Sequence, residues 1–425
     1  MQAAPTTNPN FTSDGSAASS CANYRTLWSI VLTCALTVFA CTYSAIHPNI
    51  PSPKDSPVRV LLLHLGIMVA ALLVPELLAV WALRQWLWAR HISTEFRKHF
   101  SVHYAWTQTH SFFALMGGFM LYVDGEPYHI LLPDHLLDLI RAGSIDVPTL
   151  TAKQIRDRSK GNAISKGLII LQVAWFILQL ISRAIYHLET TQLEVGTLAF
   201  AVLNFITYAV WWNKPLGVQC SHPVYWKSTK AKLAEVCFDK YVYTPINSTP
   251  ADYVPLSASE NDDLEISIEI VAVSLVDSVV RLIGINVMSP RKLQVPTCDS
   301  GNVKLERQES NVLTLVGLFM GTIFGGIHCT AWFYPFPTYQ EQVLWRVSAI
   351  YITFTQWFHL LVYLLFIPKT EKKKTLRLSF IVMFPGILLY VTARVIIFTL
   401  MLTTLRNLRP GAFETVSWAY LLPHL

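Results

Sequence analysis

The sequence predicts an all-α fold, a polytopic transmembrane helix bundle of about seven spans, within a range of roughly five to nine. The first observation is composition: 52% of the 425 residues are hydrophobic and 14% are charged, whereas a soluble domain carries about 25% charged residues. The second is that several apolar windows run for the ~20 residues that a helix needs to cross ~30 Å of hydrocarbon. We therefore expect an integral, multi-pass membrane protein.

Seven windows have this length and apolar character. They are residues 28–46, 60–83, 163–185, 193–212, 312–333, 344–367 and 376–400. Two weaker windows, 104–123 and 264–287, contain polar or charged residues, and a charge at the bilayer centre costs about 2.5–3.5 kcal/mol on insertion scales. We interpret these two windows as interfacial or re-entrant segments that do not span.

The polar stretches between the windows organise the chain. They define a disordered polar leader (1–24), a first membrane region of four spans (25–212) that includes a cytoplasmic segment (84–162), a second cytoplasmic segment with amphipathic helices (213–311), and a second membrane region of three spans (312–425). The leader is assigned as disordered because its Ser, Thr, Asn and Pro residues offer little apolar surface to bury.

The distribution of Lys and Arg predicts the orientation, because short loops rich in these residues stay in the cytoplasm. Most of them fall in three segments that seven spans would place on one side: 84–162, 213–311 and 368–375. The N-terminus is then inside and the C-terminus outside, and the glycosylation acceptors Asn10 and Asn247 are expected to stay unmodified. The first span alone favours the opposite orientation, since Arg25 precedes it and Lys54 and Arg59 follow it.

Charge, cysteines and motifs exclude several function classes. The net charge of +6 follows from the cytoplasmic bias of Lys and Arg, so no nucleic-acid partner is expected. The expected partners are the lipid bilayer and, as a candidate ligand, a lipophilic small molecule. The seven cysteines form no CxxC pair or Cys/His cluster, so no metal site is expected. Without a phosphate-binding loop, HExxH, Gly-x-Ser-x-Gly or DDxxD motif, the sequence predicts no cofactor.

Three polar residues at membrane depth are the candidate catalytic residues: Glu76, Arg394 and His328. Glu76 lies inside the second span, where a carboxylate can act as an acid or mark a pathway. The alternative is an ion pair with Arg84 or Arg394. Arg394 lies deep in the last span and must face protein or water. His328 shares no metal-pair spacing with the other histidines of the spans, so a hydrogen-bonded core histidine is favoured over a metal ligand.

Small and charged residues in other spans favour structural roles. Gly317, Gly321 and Gly325 recur at a spacing of four, which favours close helix packing over a groove for a lipophilic substrate. Arg183 and Glu194 lie near a membrane boundary, where long polar side chains reach the interface. We expect both to be structural.

Several sequence strings occur together in a recognisable order. They include HPNIP at 47–51, THSFFALMGGF at 109–119, WWNKP at 211–215, FGGIHC at 324–329, and PGAF at 410–413 followed by PHL at 423–425. With these strings the chain resembles an uncharacterised family of multi-pass membrane proteins abundant in filamentous fungi. The resemblance implies no settled activity, although some members accompany secondary-metabolite gene clusters. The last span departs from the family pattern, which has an acidic residue after the stretch around Arg394.

These observations support hypotheses from different classes. The first is a membrane-embedded enzyme or accessory factor of the cyclase or isomerase type in fungal secondary-metabolite biosynthesis, with Glu76 as its acid and Arg394 or His328 shaping the site. The second is a non-enzymatic transporter, channel or sensor whose polar groups line a path. The third is a membrane scaffold in which Glu76 and Arg394 pair with each other.

Overall fold

The computed structural model describes residues 24–53, 55–99, 106–160, 163–227, 295, 307–366 and 372–415. Several sequence predictions lie outside these residues: the disordered leader, the window 264–287, nearly all of the amphipathic helices of 213–311, and the acceptors Asn10 and Asn247.

Eleven helices and three strands form the described part of the chain. The helices are α1 (Leu27–Ala45), α2 (Pro57–Leu73), α3 (Pro75–His99), α4 (Gln108–Leu115), α5 (Pro133–Arg141), α6 (Ala152–Asp157), α7 (Ala163–Ile185), α8 (Gln192–Val210), α9 (Arg307–Cys329), α10 (Tyr339–Phe366) and α11 (Lys372–Thr403). The strands are β1 (Phe119–Val123), β2 (Glu126–Ile130) and β3 (His222–Tyr225). Short 3-10 turns follow α9 (Thr330–Phe333) and α11 (Thr404–Asn407, Pro410–Phe413).

Five helices are long and apolar enough to cross a membrane. The qualifying segments are Leu27–Ala45, Gly167–Ile185, Gln192–Val210, Gln308–Phe333 and Pro385–Asn407. The first of these leaves a row of large apolar side chains exposed: Trp28, Leu32, Leu36, Phe39 and Tyr43. Contiguous apolar surface of this kind requires a lipid or protein partner. The sixth predicted window falls within α10, a helix of 28 residues, and the second falls across a break.

The chain turns sharply at Val74, between α2 and α3. The two helices are bent by 111°. The proline ring of Pro75 disfavours helical backbone at the preceding residue, and Val74 has φ −142° and ψ 62°. The uninterrupted apolar run of 60–83 is therefore not one helix, because the Val74-Pro75 step ends α2 and starts α3.

The segment before α2 and the middle of α3 lie near the same end of the bundle. The Nζ atom of Lys214 donates to the Gln85 side chain on α3 and to the carbonyl of His47, just beyond α1. Ile50, on the way into α2, donates its backbone N–H to the carbonyl of Met116. The chain thus enters the bundle along α2 and returns along α3.

The two ends of the described chain meet at the opposite end of the bundle. The backbone N–H of Arg25 donates to the carbonyl of Phe413 at 2.7 Å, and Tyr24 forms an antiparallel bridge with Glu414. The start of α1 and the segment after α11 thus share one end of the bundle, whereas the predicted orientation places one terminus on each side of the membrane. The difference arises at the second window, which the sequence predicts as one crossing and which the structure breaks into two helices bent by 111°.

A three-stranded sheet corrects the all-α prediction. Its order is β2-β1-β3, with β1 antiparallel to β2 and parallel to β3. The turn between β1 and β2 is Asp124-Gly125, and both residues have positive φ (52° and 86°), as hairpin turns of the Asp-Gly type require. We call α4, α5, α6 and these strands the sheet domain. Window 104–123 contributes α4 and β1 to it, and Phe112, Phe113 and Phe119 are fully buried there.

The glycines of α9 pack against neighbouring helices, as expected. A Cβ atom on Gly325 would lie 2.3 Å from Oγ1 of Thr353 on α10, and one on Gly321 would overlap Gln356. A Cβ atom on Gly317 would lie 3.0 Å from Val80 on α3. The stripe therefore allows close approach of helix backbones and leaves no groove along these three residues.

Candidate functional site

The break between α2 and α3 exposes helix ends inside the bundle. The last carbonyls of a helix have no partner within it and carry the negative end of its dipole. Arg394, on α11, supplies the partner: Nε donates to the carbonyl of Leu73 at 2.8 Å and Nη2 to that of Leu72 at 3.0 Å. The side chain that the sequence places deep in the last span thus caps α2.

Aromatic rings fix the plane of this guanidinium. The Cζ atom of Arg394 lies 3.7 Å from the ring centre of Phe324 and 5.6 Å from that of Phe200, within the range of cation–π attraction. Arg394 is only 5% exposed. Its third nitrogen, Nη1, is buried without a hydrogen-bond partner among the described residues. The two carbonyls of α2 thus engage two of the five N–H groups of Arg394.

Glu76 lies beside this cap, in the first turn of α3, where the positive end of the helix dipole stabilises a carboxylate. Its Oε1 atom accepts a hydrogen bond from the hydroxyl of Tyr390 on α11, and Oε2 is buried without a partner among the described residues. The ion pair suggested with Arg84 or Arg394 is not among the ion pairs of the described chain. Each charge is instead stabilised by a helix end.

Both the ring and the backbone carbonyl of His328, on α9, take part in hydrogen bonds. Its Nδ1 lies 2.8 Å from the carbonyl of Phe324, so Nδ1–H is the donor and Nε2 is the acceptor in the neutral ring. The indole of Trp345 donates to the backbone carbonyl of His328 at 3.1 Å. The ring also packs against Phe324, with centroids 4.6 Å apart. Phe324 is thus shared by His328 and Arg394.

A cavity of about 180 Å³ adjoins these groups. Its lining is apolar apart from His328 and Arg394, and comes from α2, α8, α9 and α11. Two lining residues, Val69 on α2 and Phe398 on α11, are 55% and 46% exposed on the outside of the bundle. The cavity therefore reaches the apolar outer surface between these helices. Glu76 is not a lining residue.

Two of the predicted candidate residues, His328 and Arg394, therefore line one cavity, and the third, Glu76, is not part of its lining. Sequence reasoning missed Tyr390, which lies one helical turn before Arg394 and connects α11 to Glu76. The i, i+4 spacing of a tyrosine and an arginine within an apolar span was the available signal. The other span histidines are elsewhere: His64 packs edge-on against Tyr43, and His359 lies against Gly386.

Metal coordination finds no support in the described residues, which contain no group of three or more His, Cys, Asp or Glu side chains able to hold an ion. The four described cysteines are free thiols. The chemistry available at the cavity is therefore that of one charged donor, one neutral imidazole and an apolar wall.

A second buried cation gives the WWNKP string a structural role. Lys214 is 2% exposed and lies 5.0 Å and 4.4 Å from the ring centres of Trp81 and Trp211. Because Trp211 is fully buried and Trp212 is 51% exposed, only the second tryptophan faces outward. The WWNKP and HPNIP strings meet here, since Lys214 donates to the carbonyl of His47.

Comparison with known families gives a family for this chain but no activity. The model of a family of unknown function, DUF8562, matches residues 4–240, more than half of the chain. The chain belongs to this family. No curated protein and no solved structure matches it. The part matched to DUF8562 contains the lining residues Val69 and Phe200 and ends before His328 and Arg394, so the cavity combines residues from inside and outside that part.

Proposed function

We propose that this member of DUF8562 is a multi-pass membrane protein with seven membrane-inserted units. Six cross the bilayer as α1, α7, α8, α9, α10 and α11, and the seventh is the α2–α3 pair, which enters and returns. Five apolar helices of spanning length and the exposed apolar side chains along them support this arrangement. An even number of crossings also agrees with the contact between Arg25 and Phe413.

The Lys- and Arg-rich segments then face the cytoplasm and both termini lie outside, which agrees with Arg25 before α1 and Arg59 after it. Glycosylation of the protein expressed in a eukaryotic host tests this orientation. The proposal predicts glycan on Asn10 and none on Asn247, measured by a gel shift after glycosidase treatment with Asn10→Gln and Asn247→Gln as controls. Glycan on Asn247 would reverse it.

We further propose that the bundle binds a lipophilic carbonyl compound and acts on it as an enzyme or accessory factor of the isomerase or cyclase type, in fungal secondary metabolism. The observation that carries this proposal is the cavity lined by His328 and Arg394 beside an opening in the apolar surface. A ligand dissolved in the bilayer reaches such an opening between Val69 and Phe398 without entering water. The apolar wall holds the chain of the ligand, and the two polar residues orient its oxygen.

The two lining residues support a proton-transfer reaction. The unused N–H donors of Arg394 bind the carbonyl oxygen and stabilise the negative charge that develops on it. The Nε2 atom of neutral His328 takes a proton from the adjacent carbon, and the electron pair of that C–H bond passes into the enolate. Where the ketone carries a C=C bond next to that carbon, the enolate is conjugated with it, and return of the proton from His328 to the far carbon shifts the double bond and completes an isomerisation. Glu76 acts as a positioning residue through Tyr390.

Hydrogen exchange tests this chemistry. Protein in nanodiscs is incubated in D2O with long-chain ketones of polyprenyl and polyketide type, and product and deuterium uptake are measured by mass spectrometry. Wild type should exchange the α-hydrogens, and His328→Gln should lose at least about 100-fold of the rate. Equal rates would remove His328 as the base. Equal product from Glu76→Gln and wild type would confine Glu76 to a supporting role.

The broken helix pair also favours a second candidate, a transporter or channel. Discontinuous helices with charged residues at the break form substrate sites in many transporters, and α2 and α3 meet in this way beside Glu76. This candidate predicts flux of a solute across proteoliposomes that falls in Glu76→Gln. Exchange activity without any flux would favour the enzyme, and the reverse result would favour transport. A sensor or scaffold would show neither.

A further inference from the structure

A methionine borders the inner end of the cavity. Val69 and Phe398 line it where it reaches the outer surface, whereas Met401, three residues after Phe398 on α11, lines it and is only 3% exposed. Phe200, on α8, is a second buried lining residue. A ligand that enters between Val69 and Phe398 therefore reaches Met401 only inside the bundle.

The position of the Met401 side chain depends on Gly196, a buried residue of α8. A Cβ atom on Gly196 would overlap Sδ of Met401 and lie 3.0 Å from its Cε atom. The thioether therefore occupies the space that a side chain at position 196 would fill. We call this space the Gly196 recess.

Met401 thus borders two spaces, the Gly196 recess and the cavity. An unbranched methionine side chain has three rotatable bonds and adapts to irregular gaps, so it can leave the recess at small cost. Because protein interiors are otherwise close-packed, a thioether displaced from the recess turns into the cavity. The residue at position 196 therefore determines how much of the cavity remains for a ligand.

The volume of the cavity limits what can lie inside it. It measures about 180 Å³, and an apolar cavity of about 150 Å³ holds one benzene. The inserted end of a ligand can then be a six-membered ring or a branch of similar bulk. A longer chain leaves between Val69 and Phe398 toward the outer surface.

We propose that Met401, seated in the Gly196 recess, is the specificity-determining residue of the cavity. It restricts the substrate to a lipophilic compound whose inserted end is no bulkier than one six-membered ring. This inference rests on the proposed function and limits its substrate class by size.

Fluorine NMR of protein in nanodiscs tests the size limit, with empty nanodiscs as the background for partition into lipid. The probes are fluorobenzene and 2-fluoronaphthalene, which have no carbonyl group. Wild type should bind fluorobenzene saturably. Gly196→Ala should weaken this binding by at least about tenfold, the usual effect of one methylene group in an apolar pocket. Met401→Ala should bind 2-fluoronaphthalene at least about tenfold more tightly than wild type does.

The double variant shows whether Gly196 acts through Met401. Gly196→Ala/Met401→Ala should bind both probes as Met401→Ala does, because the added methyl group has no thioether to displace. Gly326→Ala is the matched control, since a Cβ atom there meets no described atom within 4 Å and Gly326 does not line the cavity. It should bind as wild type does. Gly196→Ala keeps every lining side chain, so it tests the size limit even if Met401→Ala fails to fold.

The results separate this inference from the proposed function. No saturable binding of fluorobenzene to wild type, or a loss in Gly196→Ala that persists in the double variant, would overturn the role of Met401. Ring-size selection that follows Met401, without hydrogen exchange of ketones, would keep this role and remove the reaction. Exchange of ketones that is unaffected by changes at positions 196 and 401 would keep the isomerase proposal and remove the size limit.

Discussion

Two buried glutamates, one at the end of the bundle where the chain ends meet and one at the helix break inside the bundle, are held in opposite ways. The carboxylate of Glu194 accepts hydrogen bonds from both terminal nitrogens of Arg25, at 2.5 Å and 3.1 Å. Its Oε2 atom also accepts hydrogen bonds from the backbone N–H and the hydroxyl of Thr191. Glu76 accepts one hydrogen bond from Tyr390, and its second oxygen has no partner among the described residues. A buried polar group without a hydrogen-bond partner lowers the free energy of unfolding.

The surroundings of the two glutamates explain the difference. Arg183, beside Glu194, donates to backbone carbonyls of the segment after α11 and of the α7–α8 loop, so this group fastens the chain ends together. We call Arg25, Arg183, Glu194 and residues 411–414 the terminal clamp. The site at the helix break also stabilises backbone, through Arg394, but it borders a cavity. In the clamp both oxygens of Glu194 are paired, whereas Oε2 of Glu76 is not, and only the site at the helix break borders a cavity, as ligand sites do.

The largest expected effect is at the terminal clamp. Glu194→Gln leaves Arg25 buried opposite a neutral amide, and breaking a buried ion pair from one side costs about 3–5 kcal/mol. The free energy of unfolding, measured in detergent by denaturant titration of tryptophan fluorescence, should fall by this amount. A loss below about 1 kcal/mol would mean that the clamp does not hold the chain ends together.

The next effect is expected at Lys214. Lys214→Met removes two charged hydrogen bonds, to the His47 carbonyl and to Gln85, which contribute about 1.5–3 kcal/mol each when the donor is charged. Burial of the apolar methionine side chain offsets part of this loss, so we expect a net fall of about 2–4 kcal/mol in the same measurement. Lys98→Met is the matched control, because Lys98 forms an exposed ion pair with Glu95 whose loss costs about 0–1 kcal/mol.

Glu76→Gln should have a small effect on stability. The amide oxygen still accepts the hydrogen bond from Tyr390, and the second oxygen has no partner to lose, so we expect about 1 kcal/mol or less. The losses in free energy of unfolding caused by Glu76→Gln and Glu194→Gln can then be compared directly, which tests the contrast between the two glutamates. Equal costs would mean that both glutamates serve the fold in the same way.

The smallest expected effect is in the sheet domain and depends on pH. Burial lowers the pKa of His110 below the ordinary histidine value of 6.5, and the hydrogen bond of its ring to the carbonyl of Leu150 partly offsets this shift. Because the unfolded chain then takes up the proton first, the stabilisation is fully present above about pH 6.5 and is lost as the pH falls below it. Denaturation at about pH 7.5 and pH 5.5 should show this loss. His110→Gln should reduce it, and a pH response that this variant leaves unchanged would contradict the assignment.

The sequence allowed the long apolar helices to be predicted because each depends on a continuous apolar run. It also marked the sheet domain, since Asp124-Gly125 between two polar-apolar segments is a hairpin signal that the membrane interpretation of 104–123 overrode. The return of the chain at Val74 was harder to predict, because Pro75 within an apolar run is compatible with a kinked span as well as with a break.

The site was predictable as a set of residues and not as an arrangement. Glu76, Arg394 and His328 stand out because polar side chains at membrane depth are rare. Their partners come from long-range contacts: Arg394 caps carbonyls more than 300 positions away, and Arg25 meets Ala412. Local sequence patterns contain no information on such pairs. An ion pair between Glu76 and Arg394 was therefore a reasonable alternative, but in the structure each of these residues interacts with a helix end instead.

Photolabelling tests the central claim most directly, that the cavity at the helix break is the ligand site. Protein in nanodiscs is irradiated with a long-chain ketone that carries a diazirine in its tail, and the adducts are mapped by mass spectrometry with and without excess unlabelled ketone. We predict adducts on Val69 and Phe398 that the unlabelled ketone suppresses. Equal labelling of Leu32 and Phe319, which are exposed on other helices, without suppression at the cavity would contradict the account.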